Sequence, residues 1–113
     1  MLVAFTFRAK PGKEAEFERL LNDPAAGRLV AKLTGAMRNT LFVGRGRMVR
    51  VLEFPDGAKP SSIADAAQAN PDVAAFLRRL GPLIEDGFDP DDRRSLDAFN
   101  QRAMVPFAYD VRP

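Results

Sequence analysis

Two runs of strand-forming residues, separated by a three-residue turn segment, constrain the fold of this chain more than any other feature. The runs Met37 to Val43 and Arg47 to Phe54 are rich in β-branched and apolar residues, and Gly44-Arg45-Gly46 lies between them. Such runs around a short glycine turn are typical of an antiparallel β-hairpin. The sequence therefore predicts two paired strands at the centre of the chain.

A strand and two helical segments are predicted before the hairpin. Residues 2–9 carry β-branched and aromatic types and run into Pro11-Gly12, which indicates a strand followed by a turn. Lys13 to Leu21 has apolar residues at helical spacing and acidic residues in its first turns, so we expect an amphipathic helix. Asp23-Pro24 is expected to break it, and a second helical piece is predicted from Gly27 to Leu33.

Two further helices are predicted after the hairpin. Ser62 begins a capping-box pattern with Asp65, which favours a short helix. Asn70-Pro71 is typical of an N-cap followed by proline at the first helical position. The apolar stripe of this next helix reaches Ile84, and Gly81-Pro82 should kink or shorten it.

The last elements complete a recognisable order. Ser95 to Ala103 predicts one more short helix, and Met104 to Val111 a final strand with Pro106 at an edge or bulge. The order of strands and helices matches the split βαβ pattern of the ferredoxin-like class. We therefore predict a single α+β domain over residues 1–113 with a four-stranded antiparallel sheet. Because helices cover one face of that sheet, the other face should need a partner, which makes a homodimer of the dimeric α+β barrel type the expected assembly.

Composition limits the chemistry. The 113 residues include no cysteine and no histidine, so disulfides, thiolate zinc sites and cysteine nucleophiles are excluded. The usual ligands of catalytic zinc and the commonest proton carrier near pH 7 are missing as well. No glycine-rich nucleotide motif is present. We expect no metal or organic cofactor, and acid–base chemistry would fall to carboxylates, Tyr109, lysine or water.

Charge and hydropathy limit the partners and the location. The formal net charge is +2, and the arginines are interspersed with acidic residues along the chain. Without a basic run or base-stacking aromatic pattern, nucleic acid is not an expected partner. The apolar start, Met1 to Arg8, is too short for a signal peptide or a membrane span, so a cytoplasmic location is expected.

The turn length decides which hairpin residues share a face, because side chains alternate along a strand. A three-residue turn would set Arg38 and Thr40 beside Arg50, whereas a two-residue turn gives a face that is almost wholly apolar. We prefer the two-residue turn, since a helix-covered face should be apolar. That face then holds Asn39, Leu41, Val43, Met48, Arg50, Leu52 and Phe54. The opposite face holds Arg38, Thr40, Phe42, Arg47, Val49, Val51 and Glu53.

Arg50 and Asn39 are the polar exceptions on the apolar face. A buried charge without a partner costs several kcal/mol, so Arg50 must be paired, reach solvent or face a wet cavity. One alternative is an ion pair with a carboxylate such as Glu85 or Asp86. The other is a pocket whose floor presents a guanidinium and an amide to ligand oxygens.

The hairpin sequences also resemble a known family. Leu33 to Val43 reads LTGAMRNTLFV and Arg47 to Glu53 reads RMVRVLE. They are similar to the SchA/CurD-like family, in which a strand Leu-Arg-Thr-Thr-Val-Phe precedes a strand Val-Val-Arg-Val-Ile-Glu. The strand leading into Lys10 to Glu14, the Asn70-Pro71 helix start, and a late acidic loop followed by Phe99 and Met104 extend the resemblance along most of the chain.

More distantly, the hairpin resembles that of the tetracenomycin-type polyketide cyclases, which are cofactor-free dimeric α+β barrels. In those enzymes an arginine on the second strand and a histidine on the third have been considered part of the pocket. Matched residue by residue, these positions fall on Asn39 and Arg50. An arginine stays charged and only donates hydrogen bonds, so this pair is not expected to act as a general base.

The SchA/CurD-like family is found with aromatic polyketide and spore-pigment synthases, so the resemblance implies a cyclase or aromatase acting on an aromatic (type II) poly-β-ketone, free or bound to a carrier protein. Arg50 and Asn39 are then the predicted catalytic residues. An acyl carrier protein or another synthase subunit is a possible partner. The predicted substrate-binding residues are Arg38, Thr40, Leu41, Met48, Leu52, Phe54, Phe76, Leu80 and Tyr109.

Two other functions remain open at the level of sequence. A cofactor-independent monooxygenase that oxidises anthrones would share the dimeric barrel, but such enzymes are usually discussed in terms of asparagine, tryptophan and tyrosine. The chain has no tryptophan, and its single tyrosine is Tyr109. The two alternatives for Tyr109 are an aromatic residue at an interface and a proton-donating acid. A non-catalytic subunit that shapes a polyketide within a synthase complex is the third hypothesis.

Overall fold

The computed structural model describes residues 1–113, in which four strands form one sheet and five α-helices connect them. The strands are β1 (Leu2–Arg8), β2 (Arg38–Gly44), β3 (Arg47–Glu53) and β4 (Met104–Val105). The helices are α1 (Glu14–Leu21), α2 (Pro24–Thr34), α3 (Ile63–Ala69), α4 (Pro71–Leu80) and α5 (Arg93–Ala103), and a short 3-10 helix spans Gly81–Leu83.

The sheet has the order β2-β3-β1-β4, and every neighbouring pair is antiparallel. This order places the third strand between the first two, as the split βαβ pattern requires. The predicted fold class, α+β with a four-stranded antiparallel sheet, is therefore confirmed.

The turn of the central hairpin fixes its register. Gly44 pairs with Arg47, which leaves Arg45-Gly46 as a two-residue loop. Both loop residues have positive φ, 55° and 72°, as a type I′ turn needs. The preferred two-residue turn is confirmed, so Asn39 and Arg50 lie on the same face of the sheet, opposite Leu52 and Leu41 respectively.

The predicted start of the second helix was wrong by three residues. Asp23 does separate α1 from α2, but it is also the N-cap of α2, and its carboxylate accepts hydrogen bonds from the backbone N–H groups of Ala25 and Ala26. Pro24 occupies the first helical position, where its missing N–H costs nothing. The segment predicted to break a helix therefore begins one.

The helix starts after the hairpin are confirmed. The Ser62 hydroxyl accepts from the Asp65 N–H while the Asp65 carboxylate accepts from the Ser62 N–H, which is a complete capping box. Asn70 caps α4 by accepting from Asp72 and Val73. As expected, α4 ends at Leu80, and the chain continues as the 3-10 helix.

The final strand is much shorter than predicted. Only Met104 and Val105 pair with β1, and the remainder of the predicted strand to Val111 forms no ladder. Pro106 has no N–H to donate to a ladder, which explains why the pairing stops there. The segment after it is exposed, and Tyr109 is 79% accessible.

The core lies between the sheet and the helices. Phe17, Met48 and Ile84 are its largest fully buried side chains. Phe7 packs edge-on against Phe17 and contacts Phe99 of α5, so β1 joins the first and last helices of the fold. The longest helices have 11 residues, too few to cross a bilayer, and none of the helices is long and apolar enough to do so.

The other face of the sheet is open and carries apolar side chains. It includes Val49, Val51 and Phe42, and the Phe42 side chain is 63% accessible. We propose that a second copy of the chain covers this face in a two-fold dimer, because an apolar sheet face without a covering layer is unfavourable in water.

The mass in solution tests this assembly. Light scattering at micromolar concentration should give about twice the 12.5 kDa of one chain. Phe42→Asp should lower the mass towards the monomer by placing a charge in the interface, whereas Ala98→Asp, on an exposed position of α5, should not. A monomeric mass for the unsubstituted protein would contradict the proposal.

Candidate functional site

Arg50 lies in the middle of the helix-covered face of the sheet. On β3 it pairs with Leu41 of β2 on one side and with Phe5 of β1 on the other. Its neighbours on the same strand face are Met48 and Leu52, both buried. A guanidinium is thus held by the sheet register at the centre of an apolar surface.

This guanidinium has no partner within the protein. Its Nε atom is buried and makes no hydrogen bond, and Arg50 takes part in none of the ion pairs of the structure. Burial lowers the pKa of Arg50 from its ordinary value, because desolvation disfavours the charged form. Arginine nonetheless remains protonated near neutral pH, so an unpaired cation with free donors faces the helices.

The predicted alternative of an ion pair with Glu85 or Asp86 is wrong. Both residues are exposed, and they follow Ile84, which bridges to Ala9 just beyond the end of β1. Ala9 lies four residues beyond Phe5, the partner of Arg50, which corresponds to about 13 Å along an extended strand. The two carboxylates are therefore at the turn end of the sheet, while Arg50 is near its middle.

An apolar cavity of about 340 Å³ lies between the sheet and helices α2, α3 and α5, and Arg50 is part of its lining. Its floor is formed by side chains of β1 and β3, and Leu96, Phe99 and Ala103 of α5 contribute to its wall. This volume is within the range of small-molecule sites, which are mostly apolar with a few convergent polar groups.

Few polar side chains besides Arg50 line the apolar cavity. The Thr34 hydroxyl already donates to Val30 O at 2.8 Å, and the Ser62 hydroxyl accepts from the Asp65 N–H. Ser61 carries the third hydroxyl in the lining. Asn100, on the same helix face as Leu96 and Ala103, is the amide in the lining. No aspartate, glutamate, lysine or tyrosine is among the lining residues, so Arg50 is the one ionisable group of this cavity.

A second, more polar cavity of about 480 Å³ lies between β2 and the start of α2. Asn39 lines it, and the Asn39 Nδ2 donates to Gly27 O at 2.8 Å, which ties β2 to α2. The Asn39 Oδ1 is buried without a partner. Arg50 is the only residue that lines both cavities, so its side chain forms part of the boundary between them.

The structure separates the predicted site residues into several groups. Met48, Leu52, Phe54 and Leu80 line the apolar cavity together with Arg50. Leu41, Arg38 and Asn39 line the polar cavity instead.

Three other predicted residues line neither cavity. Thr40 is on the opposite face of the sheet, Phe76 packs among the helices, and Tyr109 is in the exposed segment after β4. The predicted contact of these three with substrate has no support in the geometry. For Tyr109, the reason is that the strand expected to carry it ends at Val105.

Some lining residues were missed by the sequence analysis. Alternate residues of β1 belong to the cavity floor, namely Val3, Phe5 and Phe7. They pair with Leu52, Arg50 and Met48 of β3, respectively. Their spacing of two residues, together with the pairing of β1 and β3, would have placed them in the floor. Asn100 could have been inferred from its spacing of four from Leu96. Arg28 and Asp23 of the polar cavity carried no such signal.

Fold and cavity together define a class of structure, an α+β domain with an apolar cavity between its sheet and helices and one unpaired cation in the cavity lining. Comparison with known families identifies it further. Residues 1–111 match the SchA/CurD like domain, and the chain belongs to this family. The family assignment made from the hairpin motifs is thereby confirmed.

Three curated relatives come from Streptomyces species. The chain is 34% identical over 109 residues to the 42.8 kDa protein in the whiE locus of Streptomyces coelicolor and 32% identical over 109 residues to polyketide synthase CurD of Streptomyces cyaneus. It is 30% identical over 109 residues to protein SchA of Streptomyces halstedii. These alignments cover 94 to 96% of this chain but only 26 to 29% of the relatives, so the chain spans about a quarter of their length.

The unpaired state of Arg50 has a direct consequence for stability. Arg50→Met keeps much of the stem volume, removes a desolvated charge and leaves no carboxylate behind. The free energy of unfolding should therefore stay within about 1 kcal/mol of the original value or rise, whereas breaking a buried ion pair would cost about 3 to 5 kcal/mol. Chemical denaturation measures the difference.

Met48→Ala is the matched control, since Met48 lies two residues away on the same strand face and is fully buried. It should lower the free energy of unfolding by about 2 to 5 kcal/mol, as expected for a truncated core side chain. A loss for Arg50→Met as large as that of Met48→Ala would mean that Arg50 stabilises the fold.

Proposed function

We propose that this domain acts in aromatic polyketide biosynthesis as a cyclase or aromatase that folds a poly-β-ketone chain and stabilises the enolate oxygen during ring closure. The observation that carries the proposal is the buried, unpartnered Nε of Arg50 beside an apolar cavity. A buried donor without a partner is rare and costly in a folded protein. A ligand oxygen that accepts from it would offset that cost.

The family supports the biosynthetic setting. The relatives include a protein named polyketide synthase CurD. A poly-β-ketone is a flexible chain with carbonyl oxygens at regular intervals, so it offers both an apolar surface for the cavity and acceptors for a guanidinium. Its mixed character matches a lining that is apolar except at a few positions.

Aldol ring closure joins an enolate carbon to a distant carbonyl carbon. The proton lost from the α-carbon goes to water, the new alkoxide takes up a proton from water, and elimination of water then leads to the aromatic ring. No oxidant or reductant is consumed. The α-protons of a β-diketone are already acidic, so the domain need not supply a strong base.

Arg50 is suited to the electrostatic part of this reaction. A guanidinium has five N–H donors in a fixed plane and donates to an oxygen on which negative charge develops. In a site shielded from water such a donor contributes about 3 kcal/mol to the transition state. Asn100 lines the same cavity and can supply a further amide donor.

The apolar cavity is suited to the other part of the reaction, which is to hold two distant carbons together. Fixing reacting atoms near each other can lower a barrier by as much as about 7 to 11 kcal/mol. Met48, Leu52 and Phe54 are buried and present rigid surfaces to a folded chain. Chain folding in this cavity would therefore provide the larger share of the rate.

A non-catalytic polyketide-binding subunit is the second candidate. The observation that favours it is the absence of a proton-accepting side chain from the lining of the apolar cavity. Such a subunit would bind the chain and change the product distribution of a complete synthase without turning over a released poly-β-ketone. The monooxygenase alternative receives no comparable support, because Tyr109 lies outside the cavity.

The main test replaces Arg50 in a minimal aromatic polyketide synthase supplemented with this domain. Arg50→Met should slow cyclisation by about 10²- to 10³-fold per folded molecule, because it removes every donor while retaining the stem. Arg50→Lys should give an intermediate rate, since lysine retains the charge but not the planar set of donors. Mass spectrometry of the products measures both variants.

Arg47→Met is the matched control, because Arg47 is on the same strand but is exposed on the opposite face. It should leave the product distribution unchanged. Normal products from Arg50→Met would contradict the role of Arg50. Binding of the polyketide without conversion by the unsubstituted domain would favour the non-catalytic candidate.

A further inference from the structure

The segment that follows β4 is apolar at every second residue. Val105, Phe107, Tyr109 and Val111 alternate with small, polar or proline residues, which is the pattern of a half-buried strand. All four are nonetheless exposed, and the last three are 64%, 79% and 74% accessible. No backbone–backbone hydrogen bond joins residues 106–113 to the rest of the chain. The segment thus has the side-chain pattern of a strand but no neighbouring strand.

The apolar residues of this segment continue the open face of the sheet. Met104 pairs with Phe5, and both line the apolar cavity, so Val105 is on the other face together with its partner Ala4. Ala4 in turn pairs with Val51 of the open face. When the segment is extended, every second residue after Val105 points the same way. Its apolar side chains therefore belong to the face that we propose a second copy covers.

The sheet has one long edge that no strand covers. β2 is the outermost strand, seven residues long, and it pairs only on its inner side, with β3. The free N–H and C=O groups of such an edge are a template for an added strand. The sheet thus offers a place for one more strand, and the 106–113 segment has the pattern of a strand that lacks a place.

The segment is too short to pair along this edge within its own copy. β4 and β2 are at opposite ends of the strand order, so the outer edge of β2 is four strand spacings from β4, which is about 19 Å. Eight extended residues span about 26 Å, so only about two would remain for pairing. Pairing along β2 therefore requires the β2 of another molecule.

The exposed apolar area is of the size that a second copy would cover. Phe42 of the open face is 63% accessible, and Phe107 and Tyr109 of the segment are 64% and 79% accessible. With about 200 Å² for a complete aromatic side chain, these three residues expose about 400 Å². Each partner contributes about 800 Å² to a stable interface, so the three aromatic residues would supply about half of it.

We propose that residues 107–111 of each copy add as a strand to the outer edge of β2 in the other copy, with Phe107, Tyr109 and Val111 between the two sheets. In a two-fold dimer this exchange is reciprocal, so it covers the free edge in both copies. The proposal extends the dimer inferred from the open face, and it is independent of the proposed function. It gives the apolar alternation after Pro106 a role, although pairing with β1 stops before that residue.

The same substitution at two neighbouring positions tests the alternation. Tyr109→Asp places a charge between the sheets and should raise the dissociation constant of the dimer about 10- to 100-fold. Ala108→Asp places the same charge on the other side of the segment and should change this constant by less than about threefold. Both positions are exposed in the single copy, so neither variant should alter its folding. Sedimentation equilibrium measures the constants, and circular dichroism checks the folding.

Mixed dimers test where the segment binds. The chain has no cysteine, so Ala108→Cys provides a single site for a nitroxide label. After mixing with an unlabelled copy enriched in nitrogen-15, the label should broaden the amide signals of β2 in the enriched copy more strongly than any others. Ala98→Cys carries the label on the exposed side of α5 and should broaden these signals much less.

Three results would overturn the proposal. The first is a monomeric mass for the unsubstituted protein, and the second is an equal effect of Tyr109→Asp and Ala108→Asp on the dissociation constant. The third is that the strongest broadening falls on β4 of the enriched copy, which would place the two segments beside each other and leave β2 uncovered. None of these measurements involves a polyketide, so the proposed function stands or falls separately.

Discussion

The register of the central hairpin sets the position of the Arg50 guanidinium, and the rest of the site depends on that position. The two-residue turn at Arg45-Gly46 pairs Leu41 with Arg50, and β1 then places Phe5 on its other side. A shift of one residue would turn Arg50 to the opposite face and bring its apolar neighbours on β3 with it. The half-buried Arg50 side chain is therefore positioned by the same strand pairing that forms the core.

Arg50 is half-buried, its Nε atom is fully buried, and the guanidinium has no partner in the protein, which works against stability. Phe7 and Phe99 pack against each other and line the cavity that remains beside Arg50. The fold thus retains open space and a free donor set at the same place. Such a position is less stable than an apolar one would be, and losses of this kind are common at functional sites.

Much of the fold was predictable because short-range signals were strong. The hairpin turn, the Ser62 capping box and the Asn70 N-cap each rest on residues within a few positions of one another, and all three were confirmed. The errors arose in two segments whose residues favour more than one local structure. Asp23-Pro24 ends one helix and also caps the next, and the apolar alternation after Met104 indicates a strand that Pro106 does not allow to pair.

The site was less predictable than the fold, since it depends on contacts between distant segments. Alternation along the hairpin showed that Arg50 and Asn39 share a face, but the division of that face into two cavities depends on where α2, α3 and α5 pack. For the same reason, Asn100 and Arg28 could not be assigned to a site from the hairpin alone. The position of Glu85 relative to Arg50 likewise depends on the path of the chain after α4.

The central claim is that the Arg50 guanidinium is free in the unliganded domain and donates hydrogen bonds to a ligand oxygen. Nitrogen-15 NMR of the arginine Nε–H groups measures this directly, with the Arg50 signal assigned from its absence in Arg50→Met. Titration with benzoylacetone, a small enolisable β-diketone, should shift the Arg50 signal downfield and slow its exchange with water. If the diketone binds and the Arg50 signal stays unchanged, the account of this site is wrong.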